Sequence, residues 1–493
     1  MMRHRIVLVS LFGAVASIAA CVGDSSTSDG GTDATVEGGS DTGTNETGPV
    51  DSGACEAGQS QCGSACVSLG TDPNNCGTCS HKCSSAADGG QFGCTNGKCG
   101  DAIVDVAIGQ LHACVALVDG SVWCWGANIR GEMGVPLATT GSTTPLKAQI
   151  DNVARIAASE NDTTCAVKKD NTVWCWGYNP GGMLGHAPGG GSPADYTPGN
   201  GQYYNAVPQQ VGGLVPSDEV TLAQSGAVCA RALTGGVTCW GILGCGALGV
   251  PDAGLVTGSL PTAVTGVSGA AHLAKQHAWF GNCTVGDAGA LLCWGANTYG
   301  ETGHAPEAMP PFCSFNIAGS VSAPSIVSGV SNVTTVTNTD QESVCATTSG
   351  GQLYCWGYEN GQLNDSGAPY PNPALVTTGT TAKALKVVSG SGHICALFDD
   401  GSVRCWGSNA SGQLGTGSIG GVATSPTKAN VSNAVDVFAG GAVTAALLSD
   451  GSLAIWGENG ASQLAHTPGT ANDVTCGNNG HCNPTPSIVS GIP

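Results

Sequence analysis

The sequence predicts an all-β protein: a seven-bladed β-propeller closed by the C-terminal strand, preceded by a small disulfide-rich module and a disordered tether. Three observations predict it. Glycine supplies 78 of 493 residues, a density that disfavours long helices because each interior glycine costs about 1 kcal/mol relative to alanine. A unit ending in Trp-Gly recurs seven times, at Trp125, Trp176, Trp240, Trp294, Trp356, Trp406 and Trp456, with intervals of 51, 64, 54, 62, 50 and 50 residues. In six of the seven units, two cysteines ten residues apart run up to that tryptophan. About 50 residues and four strands per unit is the size of a propeller blade.

The chain divides into four segments, the first being residues 1–21. Arg3, His4 and Arg5 precede a mainly apolar run from Ile6 to Ala20, which is 15 residues long. That is too short for a membrane span of about 20 residues and suits a secretion signal. Ile18-Ala19-Ala20-Cys21 resembles a bacterial lipobox, which implies cleavage before Cys21 and lipid attachment there. Val22 follows, so by the same resemblance the expected address is the outer membrane or cell surface. Residues 22–53 are Gly, Ser, Thr and acid, without Lys or Arg. Such a composition cannot offset its chain entropy, so a tether is expected.

Residues 54–100 hold Cys55, Cys62, Cys66, Cys76, Cys79, Cys83, Cys94 and Cys99 among few large apolar side chains. A segment without a core needs cross-links, and export to an oxidising compartment favours disulfides. Their connectivity is open. Zinc is the rival reading, because Cys76 and Cys79 have metal-ligand spacing with His81 nearby. The run CGSACVSLGTDPNNCGTCSHKC resembles small cysteine-rich modules of secreted myxobacterial proteins.

Residues 101–493 hold the repeats. The paired cysteines are Cys114 and Cys124, Cys165 and Cys175, Cys229 and Cys239, Cys283 and Cys293, Cys345 and Cys355, and Cys395 and Cys405. The seventh unit has Ala445 and Ile455 instead, so both members vanish together, as bonded partners would. One residue past each midpoint stands Gly120, Asn171, Gly235, Gly289, Gly351, Gly401 or Gly451. A three-residue hairpin loop needs a left-handed residue there, which Gly and Asn tolerate. Cross-strand Cα atoms about 4.5 to 5.5 Å apart are within disulfide reach. The first unit lacks the Pro-initiated strand that precedes the others. PTPSIVSGIP at the C-terminus matches SAPSIVSGV at 322–330. The C-terminal strand is therefore expected to complete the first blade and leave no open edge there.

The pattern H-x-C-A-L, D-G-x-V, C-W-G and N-x-x-G-Q-L-G, clearest from His393 to Gly415, resembles the regulator of chromosome condensation repeat over residues 101–493. The resemblance implies a seven-bladed propeller. The family's founder is an exchange factor for a nuclear GTPase and binds chromatin, roles not expected of an exported acidic chain. Protein binding through loops on one face is the mode that carries over.

Net charge is -20 with 35 acids against 15 bases, which disfavours nucleic acid as a partner because binding there requires phosphate neutralisation. Hairpin tips and post-Trp loops fall on opposite faces, and all the length variation lies after Trp-Gly. That loop face is the expected binding face. Its long insertions carry Tyr196, Tyr203 and Tyr204, and Met309, Phe312 and Phe315. Aromatics give contact area at low entropic cost, although they also serve to pack loops on their own blades. Cys245 and Cys313 are candidates to pin neighbouring loops, and Cys476 and Cys482 to clip the last one.

His186, His304 and His466 stand ten residues after their tryptophans but on blades too far apart to share an ion. No metal or cofactor is expected. His112 and His393 are expected to brace loops, as are Glu132 and Glu301. No nucleophile elbow, zinc-protease or nucleotide fingerprint occurs. The functional expectation is a monomeric, lipid-anchored extracytoplasmic module that binds a protein or glycan. The alternative is an envelope enzyme, such as a polysaccharide lyase or hydrolase, working at the channel.

Overall fold

The computed structural model describes residues 103–493 except 200, 225, 244–248, 250–255, 277–280, 298, 307–319, 340–342, 359–369 and 478–479, together with part of 55–99. Cys21 and the tether lie outside the described residues. Between 55 and 99, Ser60–Cys62 pairs antiparallel with Ala65–Val67, and Cys94–Thr95 with Lys98–Cys99. Cys55 is bonded to Cys66 and Cys62 to Cys79. Cys79, one of the two residues at metal spacing, is thus committed to a disulfide.

Each of the seven repeats folds into one antiparallel sheet that takes its strands in sequence order. In the first blade these are Ile103–Ile108, His112–Leu117, Val122–Ala127 and Gly141–Lys147. The seventh begins with Ala434–Gly440, Val443–Leu448 and Leu453–Glu458, and ends with Gly480–Ile488, flanked by a short strand Val474–Cys476. The fifth sheet gains Lys275–Gln276 as a parallel addition to Val333–Asn338.

The hairpin between second and third strands has the expected register. Cys114 stands opposite Cys124, Cys395 opposite Cys405, and Ala445 opposite Ile455. In the six cysteine pairs the Cα atoms are 4.1 Å apart and the sulfurs are at bonding distance. The turn residues Gly120, Asn171 and Gly401 have φ of 88°, 64° and 72°, in the left-handed region that suits Gly and Asn.

The Trp-Gly pair has its own cause. The ladder between third and outer strands slips two residues at this point in every blade, for example between Cys124 and Gly126. Gly126 has φ 99°, and a Cβ there would sit 2.4 Å from the Leu111 carbonyl oxygen. Only glycine fits that bulge. Against the slip, each outer strand places a proline: Pro145, Pro208, Pro261, Pro324, Pro373, Pro426 and Pro486. Proline lacks a donor, so it is tolerated on an edge strand and blunts that edge against further pairing.

All seven repeat tryptophans are buried, and each inserts into the apolar cluster of the preceding blade. Trp176 packs with Met133 and Val135 of the first blade, and Trp456 with Leu414 and Ala429 of the sixth. Trp125 packs with Phe438, Leu453, Ile455 and Leu464 of the seventh. The same joint therefore closes the ring.

This corrects the expected closure. Gly480–Ile488 pairs with Leu453–Glu458, so the C-terminal strand completes the seventh blade, and the first blade has its own outer strand in Gly141–Lys147. Each proline-bearing strand belongs to the tryptophan before it rather than the repeat after it. A hairpin return onto the adjacent strand closes a shorter loop than a crossing to the next sheet, which lowers its entropic cost. Val489 nevertheless packs in the cluster that holds Trp125, so the tail contributes side chains to the closing junction.

Candidate functional site

The loop face is built by one device repeated with variation. The indole of Trp176 donates to the carbonyl of Glu132 at 2.9 Å, that of Trp240 to Met183 at 2.8 Å, and that of Trp456 to Gln413 at 2.9 Å. Each post-Trp loop thereby fastens to the next blade. The side chain at this position braces the same loop. Glu132 accepts from the backbone N–H of Ile129 (3.1 Å) and Arg130 (2.7 Å), and Gln413 accepts from Ser411 N–H at 2.8 Å. Glu301 likewise accepts from Tyr299 N–H at 2.7 Å. Burial, then the nearby Asp162 carboxylate, push the Glu132 carboxyl up to about 7.

His112 and His393 do more than brace a loop. Each lies within 2.8 Å of the hydroxyl of a threonine in the next blade, Thr164 and Thr444, which donates onward to the carbonyl of Glu132 or Gln413. They are braces between blades. Burial lowers His112 to about 4, so it is neutral at physiological pH.

Two long loops contain the same latch. In the second blade, Asp195 faces His186 Nε2 at 2.9 Å, and accepts from Asn179 Nδ2 at 2.8 Å and Gly189 N–H at 3.1 Å. In the seventh, Asp473 faces His466 Nε2 at 2.9 Å and accepts from Asn459 at 2.8 Å and Gly469 N–H at 2.9 Å. Asn205 and Asn483 tie down the carbonyl two residues before each aspartate. Burial opposes ionisation of Asp195, but the hydrogen bonds from His186 and Asn179 outweigh it and hold the carboxyl below its usual range. His304 instead lies 2.9 Å from the Thr302 carbonyl through Nδ1. These histidines are parts of separate loops.

What the latch presents differs between its two copies. Directly after buried Asp195, Tyr196 is 53% exposed, whereas Asp473 is followed by Val474. The Tyr196 ring leans on Tyr204 with centroids 5.1 Å apart. Tyr203 lies over Gly189 and packs its own loop. Arg130 of the first blade stacks on Tyr178 at 4.5 Å while pairing with Asp162. Tyr196 is thus the aromatic that the second-blade insertion turns outward. Met309, Phe312, Phe315, Cys245 and Cys313 lie outside the described residues. Cys476 is bonded to Cys482, within the last loop.

The inner strands line a central cavity of about 270 Å³. Their third residues form a polar belt: the acids Asp105, Glu219 and Asp436, the bases Arg155, His272 and Lys386, and Thr335. A register slip beside each of these positions turns the side chain inward, as between Ser217 and Glu219. Asp105, Glu219 and Thr335 accept the fourth-residue N–H of the following blade, from Ile156, Leu273 and Val387 at 3.0, 3.0 and 3.2 Å. Lys386 pairs with Asp436. At the loop-face end, Glu160 of the second blade bridges Ser391 of the sixth and Gln224 of the third, at 2.5 and 2.7 Å. The sequence reading missed this belt. Its signal was a polar third residue in all seven inner strands, hidden because no residue type recurs consistently.

The regulator of chromosome condensation (RCC1) repeat matches residues 103–132, 153–182, 385–413 and 400–447. Among solved structures, yeast RCC1 (Prp20), seen bound to Kap60, is 18% identical, with a TM-score of 0.60 over 76% of this chain and 84% of that one. Prp20p from Saccharomyces cerevisiae, studied for its binding to Gsp1p and histones, gives 18% and 0.60 over 76% and 87%. Human WBSCR16 gives 17% and 0.57 over 72% and 92%. At these identities the likeness is one of fold, and it agrees with the seven sheets. The chain is a seven-bladed β-propeller that carries RCC1 repeats.

Proposed function

We propose that this chain is an exported, lipid-anchored interaction module whose protein partner docks on the loop face where the first two blades meet. The observation that carries the reading is Tyr196, an exposed aromatic fixed to a buried, fully hydrogen-bonded aspartate. Rigid aromatic anchors lose little entropy on binding and dominate interface energetics. Arg130, stacked on Tyr178, adds a cation to the same loop face. The binding of Kap60, Gsp1p and histones by yeast relatives of the same fold supports protein recognition as the mode, without naming the target. The lipobox-like Ile18–Cys21 and the acidic tether support an anchor at Cys21 in a bacterial envelope.

Affinity capture with the full chain, compared with Tyr196→Ala, tests the docking surface. The variant is expected to lose its specific partner by about tenfold or more, the scale of a hot-spot truncation. Undiminished capture would remove Tyr196 from the interface. A captured glycan instead of a protein would change the partner class. Labelling with a fatty-acid analogue, abolished by Cys21→Ser, tests the anchor.

A further inference from the structure

The outer layer of the blade joint changes at the seam that closes the ring. At three other joints, the fifth residue after one repeat tryptophan meets the second residue after the next. Arg130 stacks on Tyr178 at 4.5 Å between the first and second blades, and Tyr299 on Tyr358 at 4.3 Å between the fourth and fifth. Between the second and third, Gly181 lies so close to Ile242 that a Cβ there would sit 2.4 Å from the isoleucine side chain. Between the seventh and first, the same two positions hold Ala461 and Ala127. Both line an open depression of about 510 Å³, together with Ile129, Thr140, Thr143 and Ser462.

The next position widens the same gap. Gly131, Gly300 and Gly412 stand six residues after their tryptophans, and a Cβ on them would approach Ala206, Pro371 and Pro484 of the following blade to 2.6, 2.4 and 2.6 Å. At the closing seam this position is Ser462, with φ 66°, and the outer-strand position is Thr143. Real Cβ atoms essentially never come within 3.0 Å of such neighbours, so the seventh and first blades stand further apart at this layer. A non-glycine residue in the left-handed region is uncommon, and such residues cluster at functional sites. Beneath the depression the joint stays shut, because Trp125 donates to the Gln463 carbonyl.

The depression is continuous with the surface that carries Tyr196. Ile129, 63% exposed, forms its wall, and the next residue is Arg130 on Tyr178. Tyr178 pairs across strands with Tyr204, on which Tyr196 leans. The hydroxyls of Thr140, Thr143 and Ser462 make no hydrogen bond among the described residues.

We propose that this seam is a socket for a tyrosine side chain of the protein partner, which takes the place that Tyr178 and Tyr358 hold at their own joints. Ala127, Ala461 and Ile129 receive the ring, and the rim hydroxyls receive the phenol hydroxyl. A rigid aromatic seated in a pocket is a common anchor of a protein interface. The proposal rests on the loop-face reading and names the chemistry of the partner's contact.

Saturation-transfer NMR titration of the full chain with N-acetyl-L-tyrosinamide, beside N-acetyl-L-alaninamide, tests the socket on its own. The tyrosine compound is expected to saturate, with the alanine compound at least about tenfold weaker. Ala127→Tyr with Ala461→Arg rebuilds the Arg130–Tyr178 pair inside the seam and should weaken binding about tenfold or more. Ile129→Ala changes an exposed side chain, so the fold persists and the test stands even if the double variant unfolds; a loss of about threefold or more is expected. Tyr196→Ala should leave the titration unchanged, so failure of the socket and failure of the Tyr196 docking surface are read separately. Absence of saturation, equal binding of the alanine compound, unaltered binding in either socket variant, or a matching loss in Tyr196→Ala would each overturn the proposal.

Discussion

The indole of Trp125 in the first blade donates to the carbonyl of Gln463 in the seventh at 2.8 Å, across 338 residues of sequence. The joint is the one that links the first blade to the second, where Trp176 meets Glu132. It continues through Gln463, whose Nε2 reaches the Gln110 carbonyl at 3.3 Å. The ring is therefore closed by repeated side-chain carpentry, without an exchanged strand.

Closure by this joint has an energetic consequence. Trp125→Phe leaves a buried carbonyl unsatisfied and should cost about 1–3 kcal/mol. Trp176→Phe should cost less, since the Glu132 carbonyl keeps the hydrogen bond from the Thr164 hydroxyl. Urea unfolding of both variants measures it. A negligible cost at Trp125 beside a large one at Trp176 would show that the closing junction is held by something else.

Stability should depend on pH through Glu132. Its folded carboxyl titrates near 7 against an ordinary value of 4.5, so the folded state holds the proton more tightly. That contribution is complete below about pH 4.5 and lost as pH rises through 7, up to about 3 kcal/mol. His112 has the opposite sign. Its pKa falls from 6.5 to about 4, so its contribution is present above 6.5 and lost as pH falls. The two slopes oppose each other between them. Glu132→Gln, which installs the side chain found at Gln413 and Gln463, should remove the loss near neutrality, stabilise the protein at pH 8 and uncover the His112 slope. Denaturation midpoints from pH 4 to 8 check this, and an unchanged profile would contradict it.

The seventh blade lacks a staple. Ala445 and Ile455 occupy the paired positions and are fully buried. Replacing both, Ala445→Cys with Ile455→Cys, should form a seventh disulfide. An 11-residue loop is worth about 2.7 kcal/mol in the chain-entropy model, less about 1–2 kcal/mol for the trimmed isoleucine. A net gain in thermal midpoint under oxidising conditions, reversed by reductant, is expected. Free thiols in the purified variant would refute it.

Asp195 holds the loop that presents Tyr196. Asp195→Ala removes its contacts with His186, Asn179 and Gly189, and should raise amide hydrogen exchange across 186–204 while leaving the latch at Asp473 unaffected. Partner affinity should fall with it. Loss of exchange protection at both latches would mean that the two loops are coupled.

Much of this was legible in the sequence because it depends on local spacing. The ten-residue cysteine interval fixed which residues face each other, and the Gly or Asn past its midpoint marked the turn. The bracing role of Glu132 followed from its recurrence as Glu301. Closure was misread because sequence similarity between PTPSIVSGIP and SAPSIVSGV shows that two segments are equivalent, but not which neighbour each pairs with. That depends on pairing Ile455 with Ser487. The belt escaped because Asp105, Arg155 and Glu219 share a position and a bulge, but no chemistry. His112 became intelligible only once Thr164 of the next blade stood beside it.

The account's central claim is that recognition belongs to the loop face, at Tyr196. Leu233, on a hairpin tip of the opposite face, is also 53% exposed, and so is a matched control. A photo-crosslinking amino acid placed at 196 in one variant and at 233 in another measures the claim directly. A discrete partner adduct from position 196, with none from 233, is the predicted result. The same adduct from 233, or from both positions equally, would contradict it.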